Sequence, residues 1–126
     1  MIVNPNNPTG TYLPRADLER LISRSDRDTR FWIDEAYIDY VERSSSMESC
    51  ACRTRNVVVC KSLSKAYALS GARAAYLCGP QDVVADLRSV TPPWVVGLPA
   101  QIAAVLALRS PDYYRGQYEE TRRLRT

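Results

Sequence analysis

The feature that most constrains the fold is an apolar, mostly β-branched run at residues 57–60, which leads directly into a polar segment. A continuous run of this kind is typical of a strand covered on both faces, as in a parallel sheet. Further apolar runs lie at 31–33 and 74–78, and they alternate with helical patterns at 14–23 and 81–90. This alternation predicts an α/β fold, a three-layer α/β/α sandwich with a mostly parallel sheet.

The predicted helices differ in the surfaces they present. Residues 14–23 carry Leu18, Leu21 and Ile22 on one face and charged residues on the other, which predicts a helix lying on the sheet. Residues 99–110 are nearly all apolar, which predicts a buried helix. The C-terminal segment is charged, and its alternating arginines and glutamates indicate a solvated helix face.

Composition limits both the class of protein and its chemistry. A chain of 126 residues with 45% hydrophobic and 25% charged residues has the size and composition of one soluble globular domain. A net charge of +3 is too small to indicate a nucleic-acid partner. The absence of histidine excludes Ser-His-Asp and Cys-His catalysis and His-ligated zinc within these residues. Only Lys61 and Lys65 offer a lysine amine as a nucleophile.

The cysteines indicate a reduced environment. None of the four, at positions 50, 52, 60 and 78, has CxxC spacing. Cys60 and Cys78 lie in apolar runs and are predicted to be small core residues, while a metal or redox pair of Cys50 and Cys52 remains an alternative. No signal peptide is visible, and no apolar stretch approaches the roughly 20 residues of a membrane span. The expected location is the cytoplasm, with no bound metal.

Unusual polar residues follow three of the predicted strands, in the segments 4–10, 34–37 and 62–73. In open α/β sheets, ligands bind beyond the carboxyl ends of the strands, so these loops are expected to converge on one ligand. A lysine at a strand end, among hydroxyls and close to an arginine, suits Schiff-base formation with a phosphorylated aldehyde cofactor. Taken singly, these polar residues also have ordinary roles in turns, cores and surfaces.

Three motifs, taken together, carry a family resemblance. NPTG at 7–10, DEAY at 34–37 and SLSK at 62–65, with Arg73 eight residues after Lys65, resemble the pyridoxal-phosphate-dependent aminotransferases of class I/II, fold type I. Within that family the motifs look most like those of histidinol-phosphate aminotransferases, and the threonine-phosphate decarboxylase branch is similar. The resemblance spans nearly the whole chain.

The resemblance implies a role for each residue around the cofactor ring. Lys65 would form a Schiff base with pyridoxal 5'-phosphate and then act as general base and acid. Asp34 would face the pyridine nitrogen and keep it protonated. Tyr37 and Asn7 would both donate hydrogen bonds to the phenolic oxygen. The bond between Asn7 and Pro8 is expected to be cis, as it often is in the family.

The cofactor phosphate would be held by Ser62, Ser64 and Arg73, through hydroxyl donors and a guanidinium group suited to bidentate contact. Glu35 and Asp39 receive no role from the resemblance.

The resemblance also implies a place within a larger enzyme. Residues 1–126 would form the central part of the large, cofactor-binding domain and end in the helix that leads toward a small domain. The full-length enzyme would be a homodimer that binds an amino donor and a 2-oxo acid acceptor, with no nucleic-acid or membrane partner. The expected reaction is transamination of an amino acid or an amino-phosphate of the histidinol-phosphate type, in histidine biosynthesis. A threonine-phosphate decarboxylase, or a truncated non-catalytic fragment that binds the cofactor weakly, are the alternatives. For each of these interpretations, part of the apolar surface of residues 1–126 is expected to be uncovered.

Overall fold

The computed structural model describes residues 1–41 and 43–125. Its strands form one four-stranded sheet. The strands occur in sheet order as they do in the chain: β1 (Ile2–Val3), β2 (Phe31–Asp34), β3 (Val57–Ser62) and β4 (Ala75–Cys78). β1, β2 and β3 are parallel, and β4 pairs with β3 in the antiparallel direction. The predicted α/β fold with a mostly parallel sheet is confirmed.

Helices follow the strands at the predicted places. The α-helices are α1 (Arg15–Arg24), α2 (Glu48–Ala51), α3 (Gln81–Val90), α4 (Leu98–Leu108) and α5 (Pro111–Arg123). Single 3₁₀ turns lie at Ile38–Tyr40, Arg43–Ser45 and Ser70–Ala72. Prolines precede α1 and α3 because a ring without an N–H is tolerated at a helix start. None of the described helices is long and apolar enough to cross a membrane.

The main core lies between the sheet and the helices α1 and α2. It is formed by fully or nearly buried side chains from these elements: Leu18, Phe31, Ile33, Met47, Cys50, Ala51, Val57 and Val59. A second cluster lies beyond the end of β3, where Leu63, Ala66 and Tyr67 pack with Ala107 of α4 and with tyrosines of α5. The second cluster therefore fixes the position of the segment that follows β3.

One prediction about an apolar helix face is wrong, and another holds only in part. The helix predicted to be buried, α4, exposes Leu98, Ile102 and Leu106 by 66%, 52% and 60%, because the described elements pack only on its other side. On α1, Leu18 is fully buried, but Leu21 is 45% exposed because the helix turns it away from the sheet. The expected uncovered apolar surface is present.

Candidate functional site

The carboxyl ends of the three parallel strands lie level at one edge of the sheet. Val3 is paired with Asp34, and Asp34 is paired with Cys60. Just beyond these pairs, the backbone N–H of Asn4 donates to the carbonyl of Asp34 at 2.8 Å, and that of Glu35 donates to the carbonyl of Cys60 at 2.9 Å. The three polar loops therefore start side by side, as predicted.

The first loop brings Asn7 to Tyr37. The amide Nδ2 of Asn7 donates a hydrogen bond to the Tyr37 hydroxyl at 3.1 Å, across 30 positions of the chain. The pair borders a surface cavity of about 440 Å³, which Tyr12 and Tyr40 also line. Two donors predicted to serve the same ligand atom are thus neighbours in the structure.

A buried asparagine holds the same loop in place. The Asn4 side chain, 2% exposed, donates to the carbonyl of Leu13 at 2.9 Å and accepts from its N–H at 2.8 Å. The peptide bond before Pro8 is cis, as predicted, and so is the bond before Pro5. Gly10 has a φ of +71°, a conformation that glycine adopts at little cost.

Asp34 is the last residue of β2 and is partly buried. One carboxylate oxygen accepts from the backbone N–H of Ala36 at 3.0 Å, and within the described residues the other makes no hydrogen bond. Burial, together with the Asp34 carboxylate, raises the pKa of the Cys60 thiol on the neighbouring strand. Asp34 therefore has a carboxylate oxygen available to a ligand at the sheet edge.

The residues predicted to hold a phosphate form a second group. The Ser62 hydroxyl accepts from the N–H of Ser64 at 3.3 Å, and the Ser64 hydroxyl accepts from Arg73 Nη1 at 3.5 Å. Arg73 also donates to the carbonyl of Ser70 at 3.5 Å, and the Ser70 hydroxyl donates to the carbonyl of Ser64 at 2.9 Å. The guanidinium and two hydroxyls thus gather at the end of β3, a donor set suited to an anion.

Lys65 lies next to this second group with its side chain exposed. Its backbone is fixed: the neighbouring Ser64 and Ala66 are buried, and its carbonyl accepts from the Tyr40 hydroxyl at 3.2 Å. Among the described residues, the Lys65 ammonium has no hydrogen-bond or ion-pair partner. In the part of the chain that the structure describes, no direct hydrogen bond joins Asn7, Tyr37 or Asp34 to Lys65 or the serines, so the predicted site consists of two separate groups.

The other lysine has a different environment, which the sequence reasoning missed. Lys61 is 2% exposed, and its Nζ lies 3.4 Å from Asp39 Oδ1 and 3.6 Å from Glu48 Oε2. The alternation of side chains along β3 could have predicted the burial of Lys61, because residues 57, 59 and 61 share one face and the first two belong to the core. A lysine on that face requires a buried counter-ion, and Asp39 supplies it.

Glu35 is also buried, at 1% exposure. Its carboxylate accepts from the Ser46 hydroxyl and from the N–H of Met47, each at 2.6 Å. Burial raises the pKa of Glu35 above its ordinary value despite these two bonds and the charge of Lys61, which lower it. Glu35 therefore anchors the segment before α2 to the loop that carries Tyr37.

The raised pKa of Glu35 predicts a pH-dependent stability. A carboxyl whose folded pKa is raised stabilises the protein most below its unfolded value of 4.5, and this contribution is lost as the pH rises through the folded pKa. We expect Glu35→Gln to make the free energy of unfolding fall less steeply between pH 4.5 and neutral pH. Urea unfolding over a pH series measures this slope. The control is Glu119→Gln, which changes an exposed glutamate of α5, and equal slopes in both variants would contradict the prediction.

Comparison with known proteins places this arrangement in a family. The family model for aminotransferase class I and II matches residues 1–125. Histidinol-phosphate aminotransferase 2 of Carboxydothermus hydrogenoformans is 34% identical over 123 residues, covering 95% of this chain and 34% of that protein. An aromatic amino acid aminotransferase of Streptomyces avermitilis is 40% identical over 118 residues, covering 92% and 33%.

Two solved structures have a fold similar to that of this chain. Histidinol-phosphate aminotransferase from Sinorhizobium meliloti, in complex with pyridoxal-5'-phosphate, has a TM-score of 0.84 and 25% identity, over 92% of this chain and 32% of that one. L-threonine-O-3-phosphate decarboxylase from Porphyromonas gingivalis has a TM-score of 0.79 and 30% identity, over 87% and 34%.

The fold is that of an α/β domain whose polar loops start side by side at the carboxyl ends of the parallel strands. The chain belongs to the class I and II aminotransferase family, and the predicted resemblance is confirmed. It spans about a third of the length of the curated relatives it matches.

Proposed function

We propose that this chain carries the cofactor-binding centre of a pyridoxal-phosphate-dependent aminotransferase, with Lys65 as the residue that holds the cofactor. The observation that carries the proposal is the contrast between the two lysines. Lys61 is buried in an ion pair, whereas Lys65 projects without a partner in the described structure, beside the serines and arginine at the end of β3. An exposed amine on a fixed backbone is available to an aldehyde.

The donor set fits the cofactor. The hydroxyls of Ser62 and Ser64 and the Arg73 guanidinium would hold the phosphate, and their mutual contacts support this assignment. Asn7 and Tyr37, 3.1 Å apart, would both donate to the phenolic oxygen. Each group thus matches one end of a ligand that has an anionic phosphate and an anionic ring oxygen.

The remaining two residues would act on protons. When bound, pyridoxal phosphate takes up the electron pair left at the substrate Cα. The Asp34 carboxylate would accept a hydrogen bond from the ring nitrogen and hold its proton there. Lys65, once free, would take the proton from the substrate Cα as a base and return it as an acid.

The substrate is proposed from the relatives. Histidinol-phosphate aminotransferases recur among them, which supports an amino-phosphate donor and a role in histidine biosynthesis. The aromatic amino acid aminotransferases in the same set support a related amino acid donor. A 2-oxo acid would be the acceptor.

One alternative reaction has a specific observation in its favour. The decarboxylase from Porphyromonas gingivalis shares the fold at 30% identity. In that case Asp34 would have the same function, the bond broken would be the one from Cα to the carboxylate, and Lys65 would act only as the acid that supplies a proton to Cα. Release of CO₂ from threonine phosphate, without consumption of a 2-oxo acid, would favour this reaction.

The chain's place in its enzyme is also a proposal. The chain spans about a third of its relatives. From the resemblance of its motifs, we propose that it is the central part of the large domain, in an enzyme that is a homodimer. The second candidate function is that the chain by itself is non-catalytic and binds the cofactor weakly.

Reductive labelling tests the proposal. We expect pyridoxal phosphate followed by borohydride to place a phosphopyridoxyl group on Lys65, because its amine is exposed beside the phosphate donors. Peptide mass mapping distinguishes Lys65 from Lys61 and from the amine of Met1. Lys65→Ala is expected to abolish the specific label.

One variant and one competitor, inorganic phosphate, make the labelling result decisive. Arg73→Gln, which removes the guanidinium but leaves the amine, is expected to raise the cofactor concentration needed for half-labelling by about tenfold or more, the loss of one charge-assisted hydrogen bond. Labelling of Lys65 and Met1 at equal rates, unaffected by inorganic phosphate, would mean that these residues do not form a cofactor site.

A further inference from the structure

A pair of thiols lies outside the proposed cofactor site, where the end of α2 meets the last residue of β4. The Sγ atoms of Cys52 and Cys78 are 3.2 Å apart, in direct contact. Cys52 is exposed, and Cys78 is partly buried against the main core. The Cys78 thiol also donates to the backbone carbonyl of Glu48 at 3.7 Å. Both sulfurs are held on defined elements, and one is open to solvent.

We propose that Cys52 and Cys78 are an oxidation site that closes to an intramolecular disulfide with a two-electron oxidant of the peroxide class. Contact between the sulfur atoms means that only a small adjustment is needed to form the bond. The remaining two cysteines are placed differently: Cys50 is buried at 7% exposure, and Cys60 lies within β3 opposite Leu77 of β4. The geometry therefore selects one pair among four cysteines.

The chemistry balances with hydrogen peroxide as the oxidant. The exposed Cys52 sulfur attacks one peroxide oxygen, the O–O bond breaks, and the second oxygen leaves as water with the Cys52 proton. The Cys78 sulfur then attacks the Cys52 sulfenic acid, the S–O bond breaks, and a second water leaves with the Cys78 proton. Two thiols and one peroxide thus give one disulfide and two waters.

The environment assigns the order of the two sulfurs. Burial, together with the neighbouring Cys52, raises the pKa of the Cys78 thiol, so Cys78 keeps its proton near neutral pH. Cys52 is the sulfur that peroxide can reach. Cys52 is therefore the sulfur that is oxidised first, and Cys78 is the one that resolves the sulfenic acid.

The disulfide would enclose the central part of the proposed site. The chain between the two cysteines contains β3, Ser64, Lys65 and Arg73. A cross-link that closes a loop of this length restricts the unfolded chain. We expect oxidation to raise the melting temperature by about 5–10 °C.

Peroxide titration of the purified chain tests the site. We expect a mass loss of about 2 Da, the two thiol hydrogens, in a monomer that retains two thiols reactive with N-ethylmaleimide after unfolding. Non-reducing peptide mapping is expected to join the peptide that contains Cys52 to the one that contains Cys78. Dithiothreitol is expected to restore all four thiols.

Single serine substitutions identify the partners. Cys52→Ser and Cys78→Ser are expected to abolish the mass loss and the rise in melting temperature. Cys50→Ser is the matched control, because it changes a cysteine two residues away in the same tryptic peptide, and it is expected to retain both. A disulfide that survives in Cys52→Ser, one that forms only between chains, or no disulfide before sulfinic acid appears would each overturn the proposal.

Discussion

Replacing Lys61 with methionine is expected to lower the free energy of unfolding by about 3–5 kcal/mol, the usual cost of breaking a buried ion pair from one side. Methionine keeps most of the length of the side chain, so the change removes mainly the charge. It leaves the Asp39 carboxylate, only 3% exposed, without the cation that lies 3.4 Å away. Glu48 is less affected because its side chain is 28% exposed and also accepts from the Tyr76 hydroxyl at 2.6 Å. Urea unfolding followed by circular dichroism measures the loss.

The second lysine provides the matched control. Lys65→Met is the same substitution at an exposed side chain without a partner in the described structure, and we expect it to change stability by less than about 0.5 kcal/mol. The double variant Lys61→Met/Asp39→Asn is expected to recover part of the loss, because the buried carboxylate is then neutral. Equal losses in the two lysine variants would show that the Lys61 ion pair does not support the fold.

The position of the ion pair explains why its loss should also disturb the proposed site. Asp39 lies in the 3₁₀ turn that follows Tyr37, and Lys61 immediately precedes Ser62. The pair therefore joins the loop of the first group to the strand that carries the second. Since no direct hydrogen bond joins the two groups in the described residues, this buried contact and the bond from Tyr40 to the Lys65 carbonyl set their relative positions.

The alignment of the polar loops was predictable from the sequence. Parallel strands place their carboxyl ends at one edge, and the register from Val3 through Asp34 to Cys60 confirms it. The contact between Asn7 and Tyr37 is consistent with the resemblance, which assigns both to one ligand atom. The alignment was predictable because the order of apolar runs and helices specifies parallel strands.

The partner of Lys61 and the exposure of α4 were not predictable in the same way. The segment 34–39 offers three acidic residues, and only the long-range packing of its 3₁₀ turn decides that Asp39 faces Lys61 while Glu35 faces Ser46. For α4, apolar composition indicates a tendency to be covered but not the element that covers it. Both features depend on tertiary contacts that local patterns do not contain.

Leu18→Ala is expected to lower the free energy of unfolding by about 2–5 kcal/mol, the range for a leucine removed from a close-packed core. Leu18 is fully buried and packs α1 against the main core cluster, so alanine would leave a cavity there. Leu21→Ala makes the same change three residues along the same helix, at a side chain that is 45% exposed. Because alanine has at least the helix propensity of leucine, Leu21→Ala is expected to cost less than about 1 kcal/mol. Urea unfolding of the two variants measures the difference, and similar losses would contradict the orientation of α1 on the sheet.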